Sequence, residues 1–214
     1  MIGISAGREG KATGKAVKFI LEESGLPYSF YSLSNFEILT CDACCGCVED
    51  NRCVKDDKVN EILDEMISSN GIVFGGPQYW RGVNAKARAF WERICFSGEH
   101  RSYHPLKEKP GVIVGLTGYE DADHAIKDIE WFFEDARMNL IDKVTVQGEF
   151  ACFICGYGDV CEAGGYTDLY PLNSPITEEK IPTLTNQHPE KCDGKDITPR
   201  LKEVAQKLEK TCKN

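Results

Sequence analysis

Short apolar runs alternate with helical stripes along most of this chain, and this alternation is the feature that most limits its fold. Between the runs, apolar residues recur at i, i+3, i+4 and i+7, the spacing of one helix face. The runs themselves predict five strands: "MIGIS" (1–5), "YSFYSL" (28–33), "GIVFGG" (71–76), "GVIVGL" (111–116) and "VTVQGEFACFIC" (144–155). Strands and helices that alternate in this way predict an α/β fold with a parallel sheet covered on both faces.

Five such strands predict a flavodoxin-like sheet of order 2-1-3-4-5 within a single domain, residues 1–214. Residues 156–196 interrupt the alternation before a last helix, because they are rich in Gly, Pro, Tyr and Thr and show no sustained period. An irregular segment of that length is usually functional or bound to a partner. Sheets of this kind bind ligands beyond the carboxyl ends of their strands, so the loops after strands one, three and four are the expected site.

Composition excludes several classes of partner. The net charge is −9 over 214 residues, and nucleic acids and anionic membranes both require a basic surface. No apolar run approaches the length of a membrane span. The opening "MIGISAGREG" lacks the pattern of a secretory signal peptide, so a cytoplasmic protein is expected.

Five of the eleven cysteines lie in one short stretch, "CDACCGCVEDNRC" (41–53). Four of them follow the spacing C-x2-C-x2-C-x5-C, namely Cys41, Cys44, Cys47 and Cys53, and Cys45 remains outside it. Structural zinc usually takes two separated C-x2-C pairs, and disulfides are disfavoured in a reducing compartment. A loop that supplies three closely spaced thiolates and a fourth slightly later is typical of a [4Fe–4S] cluster, which is the favoured interpretation.

A second set of cysteines partly repeats that spacing: Cys152, Cys155, Cys161 and the distant Cys192. One interpretation is a second metal site. The other is that Cys152 and Cys155 are small apolar residues of strand five, where residues i and i+3 point to opposite faces. The strand would have to end near Gly156 for both to bind one ion. Cys95 and Cys212 are predicted on helices, and His100 and His104 in a solvated loop.

Three loops at the predicted carboxyl edge carry candidate cofactor contacts. "SAGREGKATGK" after strand one places small and hydroxyl residues before a helix N-terminus, as a phosphate site requires, although it is neither a Walker A loop nor G-x-G-x-x-G and a plain turn remains the alternative. The later loops offer aromatic and polar groups to a planar ring. The candidates are Ser5, Gly7, Arg8, Lys11 and Thr13 for the phosphate, Pro77, Gln78, Tyr79, Trp80 and Gly82 for the ring face, and Thr117, Gly118 and Tyr119 for its polar edge.

Three segments together resemble the iron–sulfur flavoproteins of the NADPH-dependent FMN reductase, flavodoxin-like superfamily. "GISAGREGKAT" is similar to the phosphate loop of that family, and "CDACCGCVEDNRC" resembles its cluster motif after strand two. "GGPQYWRGVNAKARAFWER" resembles its P-x-Y…K-x-x-x-D-R segment, with Arg88, Glu92 and Arg93 at the last marked positions. The resemblance covers residues 1 to about 155. It departs from the family at Gly7-Arg8-Glu9, where the family usually has S-P-R.

The resemblance implies FMN, with its phosphate on residues 5–13 and its ring between the 77–82 and 117–121 loops. It also implies a homodimer or homotetramer, in which a cluster can face the flavin of a neighbouring subunit. The expected function is electron transfer between a donor such as ferredoxin and a small-molecule acceptor, without a catalytic acid or base from the protein. The alternatives are an NAD(P)H-dependent reductase with a structural cluster and a zinc-bound, non-enzymatic interaction module.

Overall fold

Five strands and five α-helices make up the regular structure of residues 1–100, 102–118, 121–187 and 194–213, the part of the chain that the computed structural model describes. The strands are β1 Ile2–Ser5, β2 Ser29–Ser32, β3 Ile72–Pro77, β4 Pro110–Thr117 and β5 Asn139–Gln147. The helices are α1 Ala12–Glu23, α2 Val59–Ser68, α3 Ala85–Gly98, α4 Asp123–Asp135 and α5 Thr198–Cys212. No helix in these described ranges has the length and apolar character needed to cross a membrane.

The strands form one parallel sheet of order β2-β1-β3-β4-β5, which confirms the predicted flavodoxin-like topology. The pairings bring the carboxyl ends of the central strands to one edge, with Ser5 beside Gly75 and Thr117 beside Gln147. Parallel strands of this kind are buried on both faces, which explains the continuous apolar runs of β1, β3 and β4. The three loops with candidate contacts therefore leave the sheet side by side.

Two apolar cores cover the two faces of the sheet. Helices α1 and α5 pack on one face, and buried residues of α1 and α5 such as Ile20 and Leu208 fill that core. Helices α2, α3 and α4 cover the other face, where Trp91 of α3 lies edge-on to Phe74 of β3 with ring centroids 5.3 Å apart. A methyl group on Gly75 would lie 2.7 Å from Val17, so this glycine permits the close approach of α1 to the sheet.

The prediction of strand five over 144–155 is wrong at both ends, because β5 spans Asn139–Gln147. Its first half mixes the apolar Leu140 and Ile141 with polar residues, since β5 lies at the edge of the sheet and Asp142 forms ion pairs with Arg200 and Lys207 of α5. The chain turns away after Gln147, at Gly148, whose N–H donates to the Thr117 carbonyl at 2.9 Å. Apolar residues beyond this point pack elsewhere than in the sheet.

Residues 148–187, here called the excursion, therefore begin earlier than the predicted irregular segment 156–196. They contain two short 3₁₀ turns, Ala151–Phe153 and Glu178–Lys180, and a small core of Phe153, Tyr166 and Tyr170. Gln187 returns to the sheet, where its Oε1 accepts a hydrogen bond from the Gln147 N–H at 2.6 Å. The excursion thus starts and ends at the carboxyl end of β5.

Candidate functional site

The loop of residues 6–11 between β1 and α1, here called the phosphate loop, has the features of an anion site. Helix α1 follows it, and the N-cap residue Lys11 provides no side-chain cap to the first N–H groups of the helix within the described structure. A Cβ on Gly7 would lie 2.4 Å from the Thr13 hydroxyl, so the backbone passes directly over that side chain. Uncapped N–H groups at a helix N-terminus favour phosphate.

The predicted phosphate residues are brought together with one exception. Gly7, Arg8, Lys11 and Thr13 line a small pocket above the phosphate loop. Ser5 lies buried beneath it, where its hydroxyl accepts a hydrogen bond from the Gly7 N–H at 3.3 Å. Ser5 therefore supports the loop from below rather than lining the pocket.

Glu149 is a feature of this pocket that the sequence did not indicate. Its carboxylate lies 2.6 Å from Lys11 Nζ and 3.4 Å from Arg8, and Arg8 also donates to the Glu149 backbone carbonyl at 3.1 Å. The Glu149 side chain is only 10% exposed. An internal anion therefore pairs with both cationic side chains of the phosphate loop and offsets one of their two charges.

A larger pocket, here called the ring pocket, opens beside the phosphate loop. The predicted residues Pro77, Gln78, Tyr79 and Trp80 line one side of it, and Thr117 and Gly118 at the end of β4 line another. The third wall belongs to the excursion and consists of Glu149, Phe150, Ala151, Ile154 and Gly165. Phe150 packs on Gly118, where an added Cβ would lie 2.9 Å from its side chain. Tyr119 lies outside the described residues.

The turn of residues 79–82 holds an aromatic side chain in solvent. Tyr79 and Gly82 exchange backbone hydrogen bonds of 2.8 and 3.3 Å, and the two residues between them, Trp80 and Arg81, have φ angles of +51° and +64°. Left-handed backbone at two successive non-glycine residues is strained, and such strain concentrates at ligand sites. Trp80 is fully exposed at the rim of the ring pocket. Gly82 closes the turn and does not line that pocket.

Two amide side chains tie these loops together. Gln78 donates to the Asp121 carbonyl at 2.9 Å and accepts from the Ala125 N–H at 3.2 Å, which links the end of β3 to the start of α4. Asn84 donates to the Ala6 carbonyl at 2.8 Å and caps α3 by accepting from Ala87. The ring pocket and the phosphate loop are thereby held in fixed relation.

The five cysteines of residues 41–53 line one small pocket beside the C-terminal half of α3, here called the thiol pocket. Cys47 is buried, while Cys44 and Cys45 are exposed. Ala43 and Cys45 have positive φ angles of +54° and +57°, whereas the residues beside them have negative φ angles. The backbone therefore alternates between left-handed conformations and conformations with negative φ. Alternation of this kind forms a concave group of N–H donors that binds anions, including iron–sulfur clusters.

Two side chains outside the cysteine stretch approach the thiols. Arg93 of α3 is fully buried, and its Nε donates to Cys53 Sγ at 3.2 Å. The same guanidinium forms an ion pair with Asp57, whereas its second terminal nitrogen is buried without a partner among the described residues. His100 Nε2 lies 3.2 Å from Cys47 Sγ. Unpaired donors beside grouped thiols fit an anionic cofactor.

The protonation of the thiol pocket depends on this crowding. Burial raises the pKa of Cys47, and repulsion from thiolates at Cys53, Cys41 and Cys44 raises it further. Bound cationic metal would offset that repulsion. Burial opposes ionisation of Asp57, but the hydrogen bond from Arg93 and two backbone N–H groups outweigh it and lower the pKa of that carboxyl.

Comparison with known proteins identifies the group to which the chain is related. The family model described as NADPH-dependent FMN reductase matches residues 2–149, more than half of the sequence. The chain belongs to this family. An iron–sulfur flavoprotein of Methanocaldococcus jannaschii is 34% identical over 156 residues, which cover 70% of this chain and 76% of that protein.

Further relatives agree with this assignment. An iron–sulfur flavoprotein of Methanosarcina thermophila is 31% identical over 54% of this chain and 62%, less than two thirds, of its own length. A solved flavone reductase superposes with a TM-score of 0.61 over all of this chain and 62% of its own, and at 14% identity that similarity concerns the fold alone. The chain is thus an FMN-dependent oxidoreductase of the NADPH-dependent FMN reductase family.

The three described members of the second set of cysteines in this FMN reductase family member lie in the excursion and not in a strand, which removes the interpretation that Cys152 and Cys155 are packed strand residues. Cys152 lies in the 3₁₀ turn, Cys155 follows it, and Cys161 lies in a later turn. Cys192 lies outside the described residues. No three His, Cys, Asp or Glu side chains within the described ranges are already arranged around one ion position, and this holds for both sets of cysteines.

The prediction that His104 lies in a solvated loop is wrong. That side chain is buried, its Nε2 lies 3.1 Å from the Ile94 carbonyl, and its Nδ1 accepts from the Leu106 N–H. Burial lowers the pKa of His104, so the neutral ring is favoured. His104 therefore packs the end of α3, while His100 approaches the thiols.

Proposed function

We propose that this protein transfers electrons between a one-electron donor such as ferredoxin and a small-molecule acceptor, through FMN in the ring pocket and a [4Fe–4S] cluster in the thiol pocket. The observation that carries the proposal is the thiol pocket itself. Cys41, Cys44, Cys47 and Cys53 share it with the buried Arg93, whose remaining N–H donors lack a partner within the described structure. FMN exchanges two electrons when bound and a cluster one, so together they connect hydride-like and single-electron chemistry.

The side chains of this chain bind and orient the flavin. Arg8, Lys11 and the uncapped start of α1 would hold the phosphate. Trp80 and Tyr79 would cover the ring, and Thr117 and Gly118 would border its polar edge. Within the described residues we assign no proton-transfer role to any side chain of the ring pocket.

The arrangement of the two pockets favours a homo-oligomer. Asn84 at the start of α3 contacts the phosphate loop, and Arg93 on the same helix contacts Cys53. Arg93 follows Asn84 by nine positions, a rise of about 14 Å along the helix. We therefore propose a homodimer or homotetramer in which the thiol pocket faces the ring pocket of a neighbouring subunit. Accessible thiols such as Cys44 suit a reducing compartment, so we propose a cytoplasmic protein.

Anaerobic purification with counts of iron, acid-labile sulfide, zinc and FMN tests the proposal. We expect about four sulfides and at least about four irons per chain, together with about one FMN. A colourless protein with zinc and neither sulfide nor flavin would contradict it. Sulfide is the decisive count, because a mononuclear metal site contains none.

The family description favours a second candidate, an NAD(P)H-dependent reductase with a structural cluster. Stopped-flow mixing with NADPH separates the two functions. Fast bleaching of the flavin by NADPH supports the reductase. Slow bleaching by NADPH but fast bleaching by reduced ferredoxin supports electron transfer as proposed above.

Replacement of Glu149 by Gln should strengthen FMN binding. The Glu149 carboxylate competes with a phosphate for Lys11 and Arg8 and would repel a phosphate placed between them. The wild type has to give up this ion pair, worth about 1 kcal/mol, when the phosphate binds. Without it the Kd for FMN should be about fivefold lower, measured by flavin fluorescence titration of the apoprotein. The control is Glu9→Gln, an exposed carboxylate of the same loop, which should leave the Kd unchanged. Weaker binding by Glu149→Gln would instead mean that this carboxylate orients the two cations.

A further inference from the structure

We propose that Cys152, Cys155 and Cys161 form a second, separate metal site, which binds one thiolate-ligated ion, zinc or iron, and fastens the excursion to the wall of the ring pocket. The second part of this proposal rests on the proposed flavin site, whereas metal binding does not. The backbone around the three thiols supports the metal site, and the position of the excursion supports its connection to the ring pocket.

The first two thiols lie on a tight knuckle, "CFICGYG" (152–158). Gly156 has a φ of +81°, a conformation that favours glycine, and this directs the Tyr157 N–H to Cys155 Sγ at 3.4 Å. A Cβ on Gly158 would lie 2.0 Å from the Cys152 carbonyl oxygen, so the chain can return over Cys152 only with glycine at this position. A C-x2-C turn with backbone N–H donors to sulfur is a common way of presenting two thiolates to one tetrahedral ion.

The third thiol, Cys161, lies near the first, Cys152, beside Gly164. A Cβ on Gly164 would lie 3.2 Å from Cys161 Sγ and 3.5 Å from Cys152 Sγ, so both sulfurs border the same empty position. The turn that carries Cys161 is closed by hydrogen bonds to its carbonyl from the Gly164 N–H at 3.3 Å and the Thr167 hydroxyl at 2.9 Å. Cys155 is exposed, and its side chain has to rotate inward to complete a set of three thiolates.

The excursion has little apolar core of its own, so a bound metal ion would stabilise it. It is long, its two helical turns are short, and its own core consists of Phe153, Tyr166 and Tyr170. Small units with little apolar core are commonly stabilised by disulfides or bound metal. Each thiol loses a proton when it binds the ion, so the site should be occupied at neutral pH and released in acid.

The position of the knuckle connects the metal to the flavin site. Ala151 and Ile154, on either side of Cys152, line the ring pocket, and so does Gly165, next to the glycine between the sulfurs. The thiol pocket shares no residue with this wall. An ion on the knuckle would therefore hold the wall in place independently of the cluster.

Metal and sulfide counts on the anaerobically purified full-length protein test the site. The variants are Cys155→Ser, whose exposed side chain can be changed without disturbing the core, and the double variant Cys155→Ser/Cys161→Ser. We expect the double variant to contain about one metal ion fewer than the wild type with the same sulfide content. The element that is lost identifies zinc or iron. The matched control is Cys212→Ser on α5, which should retain the wild-type count.

Three outcomes would overturn the site: an unchanged metal count in the double variant, a loss of iron and sulfide together in the proportion of a cluster, or a Cys152–Cys161 disulfide in the reduced, metal-loaded protein. If the double variant does not fold, Co²⁺ titration of metal-depleted wild type and Cys155→Ser decides the question. The wild type should show more thiolate-to-cobalt charge-transfer absorption than Cys155→Ser, and equal absorption would overturn the proposal.

FMN titration of the same proteins tests the fastening. We expect Cys155→Ser to bind FMN several-fold more weakly than Cys212→Ser does. Equal FMN affinity together with a lost metal ion would overturn the fastening and leave the metal site intact. If the wild type contains no sulfide and Cys155→Ser still contains one metal ion fewer, the proposed cluster is contradicted and the second site is supported. Failure of the proposed function can thus be distinguished from failure of the second site.

Discussion

Replacement of Arg93 by Met should lower the free energy of unfolding by about 3–5 kcal/mol. The Arg93 side chain is fully buried and its partner Asp57 is 4% exposed, so removal of the cation leaves a buried carboxylate without its counter-ion. The substitution also removes the donor to Cys53 Sγ and the donor to the Leu39 carbonyl at 3.3 Å. Urea denaturation at matched iron and FMN content measures the effect.

Two further variants show whether the buried charge is the cause. Arg88→Met on the same helix removes an exposed guanidinium paired with Asp128 at 3.1 Å, and its effect should stay below about 1 kcal/mol. The double variant Arg93→Met/Asp57→Asn should recover about 1–2 kcal/mol, because the amide is neutral and keeps an acceptor for backbone N–H groups. A double variant no more stable than Arg93→Met would contradict the role of the charge.

The same ion pair predicts a pH dependence. Because the pKa of Asp57 is lowered in the folded protein, its contribution to stability is present above the ordinary carboxyl pKa of 3.8 and is lost as the pH falls through the lowered value. In metal-free protein the stability difference between the wild type and Arg93→Met should therefore be largest near neutral pH and should shrink as the pH falls through that lowered value. Urea denaturation at a series of pH values measures this, and a difference that stays constant as the pH falls would contradict the role assigned to Asp57.

The central strands and the cysteine spacing were accessible from the sequence because both are local patterns. Strands β1, β3 and β4 are buried on two faces and appear as apolar runs. The same reasoning failed at β5, since an edge strand with Asp142 in ion pairs has no such run, and the apolar residues after it belong to the excursion. Topology followed from the alternation, whereas the end of the last strand did not.

The groups that surround the site could not be found in this way, because their partners are remote in the chain. Arg93 lies 40 residues from Cys53, His100 lies 53 from Cys47, and Glu149 lies 141 from Arg8. Asn84 before α3 carried a local signal as a helix cap, but its bond to Ala6 was not visible. Spacing identifies the thiols, and only the packing of α3 explains why they lie beside a buried guanidinium.

Replacement of Cys47 by Ala should abolish the visible absorption of the cluster and leave FMN bound. Cys47 is the buried member of the four predicted ligands, and its loss leaves three thiolates, too few for a complete [4Fe–4S] site. FMN should remain because the thiol pocket shares no residue with the ring pocket or the pocket above the phosphate loop. Iron, sulfide and flavin counts after anaerobic purification measure both effects.

The control for this experiment is Cys45→Ala, which changes the neighbouring exposed cysteine outside the C-x2-C-x2-C-x5-C pattern. It should retain about four sulfides per chain, because spacing excludes it from the ligand set. Loss of sulfide in Cys45→Ala but not in Cys47→Ala would show that Cys45 is the ligand. Equal loss of flavin and sulfide in Cys47→Ala would mean that the cysteine stretch is required for folding, since α3 connects the two pockets and would transmit a collapse of one to the other.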